Sequence, residues 1–150
     1  MAIIISQTAF DPYLALQDHQ ACHLAENRAI GATSIFIGTM RDFNDGTTVT
    51  GMTLEYYPGM TEKQLAGCVQ QANQQWALID SLIIHRVGDI LPLEPIVLVA
   101  VWSAHRGDAF DACRFMMETL KSTAPFWKKE RLVSDDVRWV EHNSNGYLPS

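Results

Sequence analysis

Hydrophobic residues recur along the chain with two different periods, one typical of strands and one typical of helices, and these periods predict its secondary structure. Short runs rich in β-branched residues, several with period 2, are typical of strands and occupy residues 2–6, 31–40, 49–57, 79–89, 95–104, 126–131 and 138–142. Capping signals or an apolar stripe at helical spacing mark residues 11–28, 61–76 and 107–123. The order β-α-β-β-α-β-β-α-β-β predicts an α+β fold with three helices and a mixed, largely antiparallel sheet.

Local signals define several of these boundaries. Asp11-Pro12 has the pattern of an N-cap followed by proline at the first helical position. Asp45-Gly46 favours a hairpin turn between the second and third strands. Thr61 and Gln64 have the spacing of a capping box. Residues 143–150 are expected to form a loose tail or to dock on a partner.

A nearly continuous apolar run, IVLVAVWSA at residues 96–104, predicts the central strand of the sheet. The run leads directly into His105 and Arg106 and the third helix. A helix N-terminus favours anions, because its free N–H groups and the helix dipole both point outward. His105 would add a titratable donor and Arg106 a fixed guanidinium. Two interpretations of His105 stay open, a ligand contact and a simple helix cap.

The third predicted helix places Lys121 at the edge of an apolar stripe. The stripe is formed by positions at helical spacing, namely Ala109, Cys113, Met116, Met117 and Leu120. Pro125 ends the helix, because proline has no N–H and disfavours a helical backbone in the residue before it.

If the segment after Pro125 is extended, its side chains alternate between two faces. One face then carries Phe126, Lys128 and Glu130, and the other carries Trp127, Lys129 and Arg131. This arrangement would allow Lys121 and Lys128 to converge, one from a helix end and one from the strand that follows. Spacing alone favours the other interpretation, a solvated amphipathic helix with a basic last turn, which the helix dipole stabilises.

Composition and charge agree with one globular domain over residues 1–150, since 47% of the residues are hydrophobic and 19% are charged. The net charge of −6 argues against a general nucleic-acid binder. Residues 103–131 nevertheless hold six of the eleven Lys and Arg residues, so this segment is a candidate site for a small anion. Arg41, at a strand end, is either a solvated loop charge or an anion contact.

The three cysteines, Cys22, Cys68 and Cys113, have no CxxC spacing and are expected to be structural thiols in a reducing cytoplasm. His19 and His23 are spaced for one face of a helix, but no third ligand accompanies them, so no metal site is predicted. No signal peptide and no apolar run of transmembrane length are recognised, and the expected location is the cytoplasm.

Four motifs in order along the chain carry a resemblance to a known family: Leu54-Glu55-Tyr56-Tyr57-Pro58-Gly59-Met60, His85-Arg86-Val87-Gly88, Ser103-Ala104-His105-Arg106 and Pro125-Phe126-Trp127-Lys128-Lys129-Glu130. Together they resemble the large, catalytic subunit of molybdopterin synthase over roughly residues 30–142. The resemblance implies an α/β hammerhead-type fold and a homodimer.

A member of that family is a sulfurtransferase that needs no metal or other cofactor. It would transfer sulfur from the C-terminal Gly-Gly thiocarboxylate of a small ubiquitin-like carrier subunit to cyclic pyranopterin monophosphate, forming the dithiolene of molybdopterin. Two large subunits and two carrier subunits would form a heterotetramer.

The resemblance also implies roles for individual residues. Contacts to the pterin and phosphate would come from Thr39, Met40, Arg41, His105 and Arg106, with Lys129 and Glu130 as further substrate-binding residues. Lys121 and Lys128 would be catalytic and would face the reacting carbons and the carrier's C-terminus, since neighbouring charges readily move the pKa of lysine. Glu130 would orient or neutralise one ammonium group. Phe36, Phe110 and Met117 would form apolar walls of the site, or would only pack in the core.

Two departures from the family pattern are visible. The family commonly has a glycine in the turn where this chain has Leu91-Pro92-Leu93-Glu94-Pro95, and it often has basic residues where Phe43, His142 and Asn143 stand. Two other functions remain open, a non-catalytic docking module for a carrier protein and a phosphate-ester enzyme using His105 and Arg106. No carboxylate pair or metal cluster accompanies His105, which disfavours the second.

Overall fold

The computed structural model describes residues 1–140, which form three helices and nine strands. The helices are α1 (Pro12–His23), α2 (Met60–Gln75) and α3 (Arg106–Thr123). The strands are β1 (Ala2–Ser6), β2 (Ala32–Thr39), β3 (Phe43–Asn44), β4 (Thr47–Tyr56), β5 (Leu78–Arg86), β6 (Gly88–Ile90), β7 (Pro95–Ser103), β8 (Phe126–Leu132) and β9 (Val137–Val140). None of the helices in this part of the chain is long and apolar enough to cross a membrane.

The first sheet has the strand order β1-β5-β7-β2 and surrounds the predicted central strand. Only the β1–β5 pair is parallel, and the other two pairs are antiparallel. Alternate residues of β7 enter two different cores, because helices cover both faces of this sheet. Val97, Val99 and Val101 pack with α2 and α3, whereas Leu98, Ala100 and Trp102 pack on the side of α1.

The second sheet has the order β3-β4-β8-β9, with β6 also paired to β4, and all its pairs are antiparallel. Its small core comprises Met40, Val49, Met52, Leu54, Ile90 and Ile96. The α+β class with mixed, mostly antiparallel pairing is therefore confirmed, but the strands form two sheets instead of one. The hairpin turn at Asp45-Gly46 joins β3 to β4, and both turn residues have positive φ, 50° and 73°. Within the described residues β2 pairs with β7 and not with β4.

Two helix predictions need correction. Asp11 caps α1 as predicted, by accepting hydrogen bonds from two backbone N–H groups, but the helix ends at His23 and not near residue 28. The capping box of α2 is not formed by Thr61 and Gln64, because the Glu62 carboxylate accepts the hydrogen bond from the Gly59 N–H. The end of the last predicted strand and the predicted tail, residues 141–150, lie outside the described residues.

Thr61 instead joins α2 to the break between α3 and β8. Its side chain is fully buried and accepts a hydrogen bond of 3.0 Å from the Tyr57 N–H. The same hydroxyl donates to the Pro125 carbonyl at 3.1 Å. Pro125 follows the extended Ala124 that ends α3, so this bond fixes the direction in which the chain leaves the helix.

Replacement of Thr61 by valine keeps the shape of the side chain but leaves the Tyr57 N–H and the Pro125 carbonyl without this partner. We expect Thr61→Val to lower the free energy of unfolding by about 1–3 kcal/mol. Urea denaturation measures this loss, with Thr48→Val on the exposed surface of β4 as control. An equal change in both variants would contradict a structural role for the Thr61 hydroxyl.

Candidate functional site

A cavity of about 170 Å³, here called the outer cavity, opens where the two sheets meet. Its walls come from both sheets, from the loop after β2 and from the end of α3. The lining residues are Phe36, Gly38, Thr39, Met40, Arg41, Phe43, Asn44, Met52, Ile96, Val97, Lys121, Lys128, Glu130 and Val140. Its charged members are Arg41 after β2, Lys121 on α3, and Lys128 and Glu130 on β8.

Lys121 and Lys128 converge on this cavity, as the helix break and the strand alternation predict. Lys121 lies in the last turn of α3, and Lys128 is the third residue of β8. Both side chains are partly buried, and the two amino groups are close enough for each to change the pKa of the other.

Burial and the neighbouring positive charge change the acidity of both lysines. Burial lowers the pKa of Lys121 from its usual 10.5 to about 8, and the charge of Lys128 and the hydrogen bond to it act in the same direction. Burial also lowers the pKa of Lys128, although the Glu130 carboxylate and the hydrogen bond to Lys121 oppose this, and the Arg41 charge adds to it. The pair therefore has an amine that can gain or lose a proton near neutral pH.

Glu130 is the buried negative charge next to the lysine pair, and its carboxylate is hydrogen-bonded to two further side chains. Its Oε1 accepts a hydrogen bond of 3.0 Å from Arg138 Nε on β9 and one of 3.3 Å from Asn44 Nδ2. Arg138 Nη2 also donates to the Asn44 carbonyl oxygen at 2.9 Å. The sequence alone does not point to Arg138, because only the β8–β9 pairing places it opposite Glu130.

The rim of the outer cavity contains the residues predicted around Arg41. Thr39 is the last residue of β2, and Met40 and Arg41 follow directly from it. Arg41 lies over the Phe43 ring at 4.8 Å. A register shift in the β2–β7 pairing occurs at Gly38, where an added Cβ would lie 2.8 Å from Val97 Cγ1. Glycine at this position therefore leaves the cavity floor open.

A second, smaller cavity of about 20 Å³, here called the inner cavity, lies next to the lysine pair. Its lining residues are Leu54, His85, Leu120, Lys121, Ala124, Phe126 and Lys128. Lys121 and Lys128 line both cavities and thus lie between them. His85 appears in the sequence only as part of a motif. Because β5 is buried on both faces from Ser81 to Arg86, its pattern gives no signal for the place of His85 beside the lysines.

Several predicted site residues do not line the outer cavity. His105 and Arg106 are exposed at the start of α3, which at 1.5 Å rise per residue lies about 22 Å along the helix from Lys121. His105 occupies the N-cap position of α3, as the capping interpretation expects, but its side chain makes no capping hydrogen bond.

Three further residues lie outside the outer cavity as well. Lys129 is on the opposite face of β8, as the strand alternation predicts, and its Nζ lies 5.3 Å from the centre of the Trp139 ring. Phe110 is exposed on α3, and Met117 is in the core. Of the three predicted apolar walls, only Phe36 lines the outer cavity.

Of the two histidines of α1, His19 packs against the first sheet and His23 is exposed. His19 Nε2 is 2.8 Å from an Asp80 carboxylate oxygen, and its ring is stacked on Trp102 at 5.2 Å. Within residues 1–140 no group of three or more His, Cys, Asp or Glu side chains is arranged to hold a metal ion. All three cysteines are free thiols, and Cys68 and Cys113 are buried.

The chain is similar in sequence to known proteins over most of its length. Residues 12–123 match the family model described as MoaE protein. The molybdopterin synthase catalytic subunit of Ralstonia nicotianae is 61% identical over 75% of this chain, although the chain spans only 63% of that protein's length. The subunit of the same name from Pseudomonas aeruginosa is 53% identical over 94% of this chain and 91% of its own length.

A solved structure has the same fold. The molybdopterin biosynthesis MoaE protein from Burkholderia ambifaria superposes with a TM-score of 0.77 and is 46% identical. The match covers 96% of this chain and 92% of that chain.

The lowered pKa of Lys121 predicts a pH-dependent stability. Because the folded state disfavours its ammonium form, this lysine reduces stability below pH 8, and that penalty is lost as pH rises from about 8 towards 10.5. We expect Lys121→Met to stabilise the protein by about 1–3 kcal/mol at pH 7 and by much less at pH 10. Urea unfolding at both pH values tests this, with the exposed Lys63→Met as control. An equal effect of Lys121→Met at the two pH values would contradict the assigned environment.

Proposed function

The chain belongs to the MoaE protein family, and on that premise we propose that it is the catalytic subunit of a molybdopterin synthase. The reaction transfers sulfur from the C-terminal thiocarboxylate of a small ubiquitin-like carrier subunit to cyclic pyranopterin monophosphate. The product carries the dithiolene of molybdopterin. The observation that supports this most strongly is the lysine pair that lines one partly buried cavity.

The charges of the outer cavity suit two anionic reactants. A thiocarboxylate and a cyclic phosphate are both negative, and Lys128 and Arg41 supply positive charge on two sides of the cavity. Partial burial strengthens these attractions relative to those in water. The buried Glu130 carboxylate limits the excess positive charge and favours the charged form of Lys128.

Lys121 is the better candidate for proton transfer. With a pKa of about 8, its neutral and charged forms both exist near neutral pH, which is the condition that general acid–base catalysis requires. As sulfur adds to the pterin, the cyclic phosphate ring opens and its leaving oxygen needs a proton. The Lys121 ammonium can donate that proton, and Lys128 can hold the incoming thiocarboxylate.

One chain alone does not complete this site. A cavity of about 170 Å³ is smaller than the ~300–1,000 Å³ typical of pockets for ligands of this size. His105 and Arg106, which the family resemblance assigns to the phosphate, lie at the far end of α3. In a homodimer, His105 and Arg106 of one copy would meet the lysine pair of the other. The carrier tail would enter from the remaining open side, giving the heterotetramer.

The two other functions are less well supported. A docking module does not require two mutually repelling lysines in a partly buried cavity. A phosphate-ester enzyme based on His105 would need a second catalytic group, and the described residues place none of the cavity carboxylates beside it. For the location of the protein we propose the cytoplasm, where the three free thiols would remain reduced.

Removal of one lysine tests the catalytic assignment. We expect Lys121→Ala to lower dithiolene formation from thiocarboxylated carrier and cyclic pterin by at least about 100-fold, with Lys128→Ala also strongly impaired. Lys129→Ala is the matched control, since it removes the next lysine from the opposite face of β8 and is expected to stay near the wild-type rate. Near wild-type turnover by Lys121→Ala would exclude its assigned role, and loss of turnover in Lys129→Ala would exclude the argument from strand faces.

Mixing two variants tests whether the pocket is shared between copies. Arg106→Ala is expected to weaken substrate binding, and Lys121→Ala to abolish turnover, when each is assayed alone. In a refolded or exchanged mixture, half of the dimers would contain one intact shared site, which gives about a quarter of the wild-type rate. A mixture no more active than the sum of its components would contradict a site built from two copies.

A further inference from the structure

The inner cavity has the dimensions and the lining of a site for one water molecule. Its volume of about 20 Å³ is above the ~10–15 Å³ that a single water requires. Three nitrogen-bearing side chains line it, His85, Lys121 and Lys128, while its other walls are apolar. A buried water is stable when two to four polar partners surround it, so three partners are sufficient.

The imidazole of His85 is held in one orientation at this cavity. The side chain is 2% exposed and stacks on the Phe126 ring, with the ring centres 3.9 Å apart and the planes inclined by 14°. His85 Nδ1 lies 2.9 Å from the Arg86 carbonyl oxygen. Because a carbonyl oxygen only accepts, Nδ1 carries the proton, and Nε2 is left as the acceptor of the ring.

We propose that the inner cavity binds one water molecule, which donates to His85 Nε2 and accepts from the lysine pair, and that His85 is thereby a positioning residue for the two amines. The His85 imidazole draws the water's hydrogen towards itself. The water oxygen becomes a better acceptor for an ammonium group, and the pair gains a hydrogen-bond acceptor without a second carboxylate.

The charge state of His85 agrees with this role. Burial is the main cause that lowers the pKa of His85 to about 3; the hydrogen bond to the Arg86 carbonyl opposes this shift, and the charges of Lys121 and Lys128 add to it. The imidazole therefore stays neutral at any pH at which the lysines titrate. The other charged groups that face the pair are Glu130 on β8 and Arg41 after β2.

The proposal concerns the same lysines as the proposed function, which it deepens, but its test does not require turnover. A high-resolution crystal structure should show one ordered water between His85 and the two amines. The pH titration of the Lys121 side chain by heteronuclear NMR, assigned by its absence in Lys121→Met, should have its midpoint near pH 8.

His85→Phe keeps a stacked, buried ring but removes the acceptor. We expect it to lose the water and to lower the Lys121 midpoint by about one pH unit, because an ammonium without its acceptor is less stable. His85→Gln supplies an amide oxygen and should restore most of the midpoint. His19→Phe is the matched control, since His19 is a stacked histidine on the opposite face of the first sheet and should leave the titration unchanged.

Three results would overturn the proposal: no ordered water in a high-resolution wild-type structure, an unchanged Lys121 titration in His85→Phe, or a His85→Gln titration that equals that of His85→Phe. The wild-type structure decides the question even if the His85 variants fail to fold. If the protein shows the ordered water and the expected Lys121 titration but has no sulfurtransferase activity, only the proposed function is contradicted.

Discussion

Two positive charges share one partly buried cavity, and the surrounding structure must hold them together against their repulsion. Lys121 is fixed by a helix packed on the first sheet, and Lys128 by a strand of the second. Pro125 separates the helix from the strand, and the Thr61 hydroxyl donates a hydrogen bond to the Pro125 carbonyl. The folded chain therefore maintains a contact that the two side chains would avoid in water. The resulting low pKa of Lys121 is the physical basis of its proposed catalytic role.

The two-sheet architecture explains why the site lies where it does. Strand β7 is buried on both faces and makes the first sheet a rigid layer, so the end of α3 has a fixed position relative to it. The second sheet contacts this layer near Met40 and Ile96, and the outer cavity forms along that boundary. Glu130 and Arg138 connect β8 to β9 behind the lysines. Their ion pair places a negative charge close to the cations in the wall of the outer cavity.

The sequence predicts the local features of this site well, because they depend on short-range rules. The apolar run of β7, the stripe of α3, the break at Pro125 and the alternation of β8 are each set by neighbouring residues, and together they bring Lys121 and Lys128 into one cavity. The pairing of strands that are distant in sequence does not follow from such short-range rules. The division into two sheets, the place of Arg138 opposite Glu130 and the position of His85 beside the lysines depend on strand partners distant in sequence. Family resemblance groups His105 with the lysines, yet the length of α3 separates them within one chain.

The central claim is that both lysines act on one bound pterin, and a crystal structure of the protein with cyclic pyranopterin monophosphate and its carrier subunit tests it most directly. The account predicts that the pterin occupies the outer cavity, with a substrate oxygen or the carrier's terminal group within hydrogen-bond distance of both Lys121 Nζ and Lys128 Nζ. A ligand bound elsewhere, or one with either amine turned away from it, would contradict the account.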